Sequence, residues 1–312
     1  MAFRFKIVPE KTEIDFQGKN KIAVLFSALL ILGSLGMFLV QGLNLGIDFK
    51  GGILLEARTS QAEADVPALR SDLGALGLGE VAIQRFGTDQ DVLIRVQRQE
   101  GDEKAQIAAL EKITATLGTD YEVRRTEFVG PTVGAELKEK GILAVFCALL
   151  AIMVYIWFRF EWQFSLAAIL ALSHDIISTI GLFALTSFEF NLATVAAILT
   201  IAGYSINDTV VVFDRVRENL RRYKSQDQRE ILNISLNETL SRTVMTSVTT
   251  ALALIAIIIF GGAVLRDFAV ALLWGVTIGT YSSIFVAVGF ISFFDLKAAA
   301  EEQEEHGLSN NE

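Results

Sequence analysis

The residues most able to do chemistry in this chain are four ionisable side chains set within apolar runs. Asp208 lies between Thr200-Ile201-Ala202 and Val210-Val211-Val212, about a turn and a half inside the end of its run. An ionised carboxylate in hydrocarbon costs on the order of 3 kcal/mol on insertion scales, so a buried one is by default a functional candidate. Burial and a neighbouring cation act on a carboxyl group's proton affinity in opposite senses. A group held between them can load and unload a proton as its surroundings change. Arg242 opens the next apolar run, which is antiparallel to the first, so its guanidinium belongs near the same membrane side. Thr246, Thr249 and Thr250 follow it at helical spacing as a polar stripe able to hold water. The alternative is that Asp208 reaches the interface or caps backbone groups. His174 and Asp175 form the other pair, with Ser178 and Thr179 three and four residues beyond Asp175. Such a pair can relay protons or fix helix packing through interhelical hydrogen bonds. Both readings stand at this point.

These residues must be positioned by membrane helices. Hydrophobic residues make up 52% of the 312, in long runs that read as spans. The runs are Ile22–Val40, Gly141–Phe158, Phe164–Ser187, Leu192–Phe213, Thr243–Gly262 and Phe268–Phe294. Each is about long enough to cross a ~30 Å hydrocarbon core. Pro9, Pro67 and Pro131 all fall outside them, as continuous helices require. The first run is too long for a signal core and has no Ala-x-Ala site after it, so it is read as a retained span. The net charge of −9 excludes a nucleic-acid partner of the basic-stripe kind. One cysteine and two histidines exclude a disulfide framework and a multi-histidine zinc site.

Lysine and arginine crowd the leader 1–21 (Arg4, Lys6, Lys11, Lys19, Lys21) and the segment with Arg215, Arg217, Arg221, Arg222, Lys224 and Arg229. The positive-inside rule therefore puts both termini in the cytoplasm and the long insertion, 41–140, outside. The acidic tail 295–312 reads as a solvated end. Within the insertion the order is strand Ile53–Arg58, helix from Val66, strands Val81–Phe86 and Val92–Gln97 joined by Gly87-Thr88-Asp89-Gln90, helix Lys104–Leu117 and strand Tyr121–Thr126. Asp65 is placed to cap the first helix. The second carries Ile107, Leu110 and Ile113/Thr114 on one face. The order β-α-β-β-α-β predicts a ferredoxin-like α+β domain between spans one and two of a six-span α-helical membrane protein.

Two glycine-rich segments flank that domain: Gly46-Ile47-Asp48-Phe49-Lys50-Gly51-Gly52 and Val129-Gly130-Pro131-Thr132-Val133-Gly134. Taken alone, Gly46, Asp48, Gly51, Gly52, Gly130, Pro131 and Gly134 read as a hinge needing positive φ and close packing. With Gly203-Tyr204-Ser205-Ile206-Asn207-Asp208-Thr209, Asp214-Arg215-Val216-Arg217-Glu218-Asn219, Ser173-His174-Asp175 and Ser241-Arg242-Thr243, they resemble the signatures of the SecF family of bacterial protein-export membrane proteins. That family lies within the resistance-nodulation-division transporter superfamily. The resemblance runs from about residue 20 to 295, in the family's order. It implies proton-coupled work at Asp208 and Arg242 in preprotein export at the bacterial inner membrane. It also implies a SecD six-span partner, the SecY–SecE–SecG channel and YajC nearby, besides membrane lipid. No Walker lysine motif or nucleotide fingerprint occurs, so neither ATP chemistry, a cofactor nor an enzymatic centre is expected. Half of a small-molecule efflux pump and a passive channel scaffold are the alternatives, and a sodium ion could serve the same carboxylate.

Overall fold

The computed structural model describes residues 12–101 and 103–297, so most of the leader and the acidic tail lie outside the described residues. A 3-10 turn, Gln17–Lys19, leads into α1, Asn20–Gln41. One helical turn, α2 at Ile47–Lys50, precedes the inserted domain: β1 Gly52–Thr59, α3 Val66–Gly74, β2 Val81–Phe86, β3 Thr88–Gln97, α4 Glu103–Leu117 and β4 Tyr121–Val129. The remaining spans are α5 Pro131–Arg159, α6 Trp162–Thr186, α7 Leu192–Arg222, α8 Gln228–Phe260 and α9 Gly262–Tyr281. A π-helical turn, Ser282–Ala287, and α10, Val288–Ile291, prolong α9. Among the described residues, six helices are long and apolar enough to cross a membrane.

The domain's sheet has the order β2-β3-β1-β4, every neighbouring pair antiparallel, which is the ferredoxin-like arrangement. Period-two alternation puts Ile53, Leu55, Ala57, Val92, Ile94 and Val96 on one face, packed against Leu69 and Leu73 of α3 and Ala109, Ile113 and Leu117 of α4. Asp65 caps α3 by accepting from the Ala68 N–H at 3.0 Å. Two details differ from the sequence pattern. The β2–β3 connection is tighter than four residues, because Thr88 already pairs with Phe86. The polar stretch after it stays extended because Asp91 accepts from Arg58 and Thr88. In α4 the buried face runs through Gln106, Ala109, Ile113 and Leu117, leaving Ile107 49% exposed. Gln106 can turn inward because its side-chain amide exchanges hydrogen bonds with the Gln99 backbone.

In the bundle, α6, α7 and the α9–α10 span form the interior, while α1, α5 and α8 lie outside them and leave most of their surface uncovered. Small residues of the last span permit close packing. A Cβ on Gly275 would come within 2.2 Å of the Ile201 side chain of α7. At the bundle end away from the domain, Asp214 of α7 bonds Arg159 of α5 at 2.8 Å, and buried Asn219 donates to Ser235 and Glu238 of α8. The segment preceding α1 bonds Asn233 and Asn237 of α8. The Asp214–Asn219 signature is thus a set of ties between helices.

Candidate functional site

Asp208 sits in α7 with 3% of its surface exposed, and its Oδ2 has no hydrogen-bond partner among the described residues. Its neighbour across the gap is α8. Tyr204 meets Ser247 at 3.5 Å and Asn219 meets Ser235 at 3.0 Å, and this antiparallel register brings Asp208 level with Thr243. The Thr243 hydroxyl is buried and likewise unpartnered. Arg242, next along α8, is exposed, and Asp208 Oδ2 has no bond to it. The threonine stripe beyond it is spent internally, since Thr246 and Thr249 donate to carbonyls of their own helix. Ser247 makes the interhelical contact instead, 2.6 Å from Thr280.

A second polar centre lies on the adjacent face of α7. Asp175 of α6 is fully buried. Its Oδ1 pairs with His174 Nδ1 at 3.0 Å, and its Oδ2 accepts from Ser205 at 2.5 Å and Ser282 at 2.7 Å. Thr209 and Ser283 meet at 2.8 Å one turn further on. Two consecutive residues of the last span, Ser282 and Ser283, both reach inward at the start of the π-helical turn, a distortion that recurs at functional sites. Asp175 therefore joins three central helices through hydrogen bonds. Its neighbour His174 keeps a buried Nε2 without a partner, while its ring lies 6.0 Å from that of Tyr281. Ser205, Ser282 and Ser283 were not singled out as site residues by sequence; a serine in a small-residue span carries no signal of what it will meet.

The glycine-rich segments come together at the domain's base. Gly51 and Gly52 have positive φ, and a Cβ on Gly52 would lie 2.5 Å from the Val96 carbonyl oxygen. Gly130 caps α5, Pro131 is its first residue, and Gly134 packs against the backbone of Asp48–Gly51. Asp48 does more than support a hinge: its Oδ2 accepts from the N–H of Leu192, the first residue of α7, at 2.9 Å. Beside it, Arg95 of β3 pairs with Glu189 of the α6–α7 turn at 2.6 Å, each side chain 14% exposed. Burial pushes the Glu189 carboxyl above its usual range, opposed by Arg95 and reinforced by Asp48, Asp267 and Glu127. Among the described residues no group of three or more metal-ligating side chains occurs.

The model of the SecD/SecF protein-export membrane protein C-terminal region matches residues 109–297, and that of the SecD/SecF GG motif matches residues 36–63. The chain belongs to the SecD/SecF family of protein-export membrane proteins. Protein translocase subunit SecF of Rickettsia felis is 45% identical over 94% of this chain and 95% of its own. That of Cereibacter sphaeroides is 45% identical over 97% and 96%. Its work is thus in Sec-related protein translocation. The crystal structure of SecDF, a translocon-associated membrane protein from Thermus thermophilus, matches with a TM-score of 0.82 at 36% identity, covering 92% of this chain. This chain spans only 39% of that one. A SecDF structure titled as a super-membrane-facing form, 37% identical over 94% of this chain and spanned by it for 40%, has a TM-score of 0.68.

Proposed function

We propose that this chain uses the proton-motive force to promote preprotein export at a bacterial inner membrane, through proton uptake and release at Asp208. The observation that carries the reading is the isolation of that carboxylate, which is buried between two spans with no hydrogen bond to its Oδ2. A structural carboxylate is expected to be satisfied, as Asp175 is by three side chains. One left without a partner exchanges a proton at little structural cost, and Arg242 lies on α8 beside Thr243, which is level with Asp208. The chain then works as a non-enzymatic, ion-driven subunit. Its termini face the cytoplasm and the ferredoxin-like domain handles preprotein on the outer face.

A SecD-like six-span subunit is the expected partner. The SecDF chain from Thermus thermophilus, of which this one spans 39%, has room for a second half of that kind. The SecY–SecE–SecG channel and YajC complete the proposed assembly. Substitution Asp208→Asn tests the reading. With normal membrane levels, export of a secreted protein should lose its response to the proton gradient. Export that stays fully responsive sinks the proposal in favour of a scaffold, and dependence on a sodium gradient instead replaces the proton.

A further inference from the structure

The ferredoxin-like domain is covalently joined to α1 and α5, two of the three spans with little buried surface. It has no covalent link to α7, which carries Asp208. Besides the route through α5, which Arg159 ties to Asp214 of α7, direct contacts join the domain and its entry segment to the start of α7. Asp48 accepts from the first N–H of α7 at 2.9 Å, where a carboxylate also favours the positive end of the helix dipole. Arg95, on the domain's third strand, holds Glu189 just before α7 at 2.6 Å. Between them Leu45 and Phe190 form a parallel bridge, with Gly46 N–H donating to the Phe190 carbonyl at 2.9 Å and Phe190 N–H to that of Asn44 at 2.8 Å. Asn44 adds a bond to the Ser187 carbonyl at 2.9 Å. A Cβ on Gly46 would come within 2.4 Å of the Glu189 carboxylate, which would have to shift from its place.

We infer that Asp48 and the Arg95–Glu189 pair are positioning residues: they form a strut that makes the outer domain move with the outer end of α7. The inference rests on the proposal that work originates at Asp208, and it assigns the route by which that work leaves the bundle. In the strut, Asp48 caps α7 through a hydrogen bond, and the Arg95–Glu189 pair adds a charge contact without hydrogen-bond geometry. On the α1 side, Gly42 at positive φ ends that helix before the strut begins, while Gly134 packs against the Asp48–Gly51 backbone on the domain side.

Three arms test it, on the full chain with its partner subunit in membranes. Asp48→Ala, and Arg95→Ala with Glu189→Ala, should reduce gradient-stimulated export by about fivefold or more, the lower end of coupling energies between sites. Asp48→Asn, which still offers an oxygen to the Leu192 N–H, should restore most of it. Unchanged export in both Ala variants overturns the strut. A disulfide across Leu45→Cys and Phe190→Cys, in a Cys147→Ser background, makes the strut covalent and should leave the gradient response intact. Loss of response that reductant restores means the contact has to open, and overturns the proposal. Spin labels on Glu111 of α4 and Arg222 of α7 read the mechanics without export. Asp48→Ala should broaden their distance distribution, and an unchanged width overturns the strut. This arm decides the matter even where export shows no gradient response, a result that would count against Asp208 alone.

Discussion

Ser205 and Asp208 stand three residues apart on α7 and end in opposite circumstances: the Ser205 hydroxyl donates at 2.5 Å to buried Asp175, whereas Asp208 Oδ2 touches no partner. The first arrangement is a knot joining α6, α7 and the last span. The second leaves a carboxylate in reserve. Removing the two aspartates should therefore have unlike effects. Asp175→Ala removes the interhelical bonds from Ser205 and Ser282, each worth about 0.6–1.7 kcal/mol in a bundle, and takes the carboxylate from His174 Nδ1. It should lower the unfolding midpoint in detergent and reduce membrane levels. Asp208→Leu removes a group costing about 3 kcal/mol to bury in charged form, so it should leave stability equal or higher while export loses its gradient response. Equal destabilisation by the two substitutions would contradict this division of roles.

Gly52 opens β1 at φ +133°, facing the Val96 carbonyl across the sheet. An alanine there meets both backbone strain and a 2.5 Å contact. Strain of this kind costs about 1–3 kcal/mol per residue. Hydrogen exchange on the full chain should show Gly52→Ala speeding exchange along β1 and β3, with α6 and α7 unaffected. Uniform protection across the sheet would show that the strand start is free to shift.

How much of this was legible in the sequence depends on whether the signal is one-dimensional. A charge inside an apolar run is such a signal, so Asp208 was found, and antiparallel spans put Arg242 on its side of the membrane. Strand Val81–Phe86 was read to the residue because alternation and a following Gly87 bound it. In α4, Leu110 and Ile113 face the core as read, but Ile107 does not, because Gln106 is turned inward by a hydrogen bond that hydrophobicity does not register. Neither the Asp175–Ser282 bond, across 107 positions, nor the Asp48–Leu192 contact, across 144, has a local pattern. Glu189 was passed over as a turn residue, since nothing in sequence brings Arg95 to it.

Asp91 tests the domain's acid stability. Arg58 donates two bonds of 2.6 Å and Thr88 a third, which hold the Asp91 carboxyl below the ordinary range. A carboxyl lowered in the native state contributes its full stability above the unfolded value, about 3.9, and loses it as pH falls through the native one. Protection of the β1 and β3 amides should therefore hold from neutral pH to about 4 and fall below it. Asp91→Asn should lower protection at neutral pH by about threefold to tenfold and flatten the acid dependence. A variant with the same acid profile would assign that dependence to other groups.

Glu189 has the opposite sign. Its carboxyl is raised by burial, and the groups around it are Arg95 on β3, Asp48 on α2, Glu127 on β4, and Asp267 and Arg266 at the start of α9. A raised native value means that the folded chain holds the proton where the unfolded chain has released it. Its contribution is therefore full below the unfolded value, about 4.3, and is lost as pH rises through the native one. The unfolding midpoint of the natural chain minus that of Glu189→Gln should accordingly decline as pH is raised from about 4.5 to 7, other titrating groups cancelling in the difference. Parallel curves would remove Glu189 from the titrating groups of the junction. A declining difference would mean that acid on the outer side protonates Glu189 and weakens its hold on Arg95. The contact of Asp48 with Leu192 would then bear more of the load between the domain and α7.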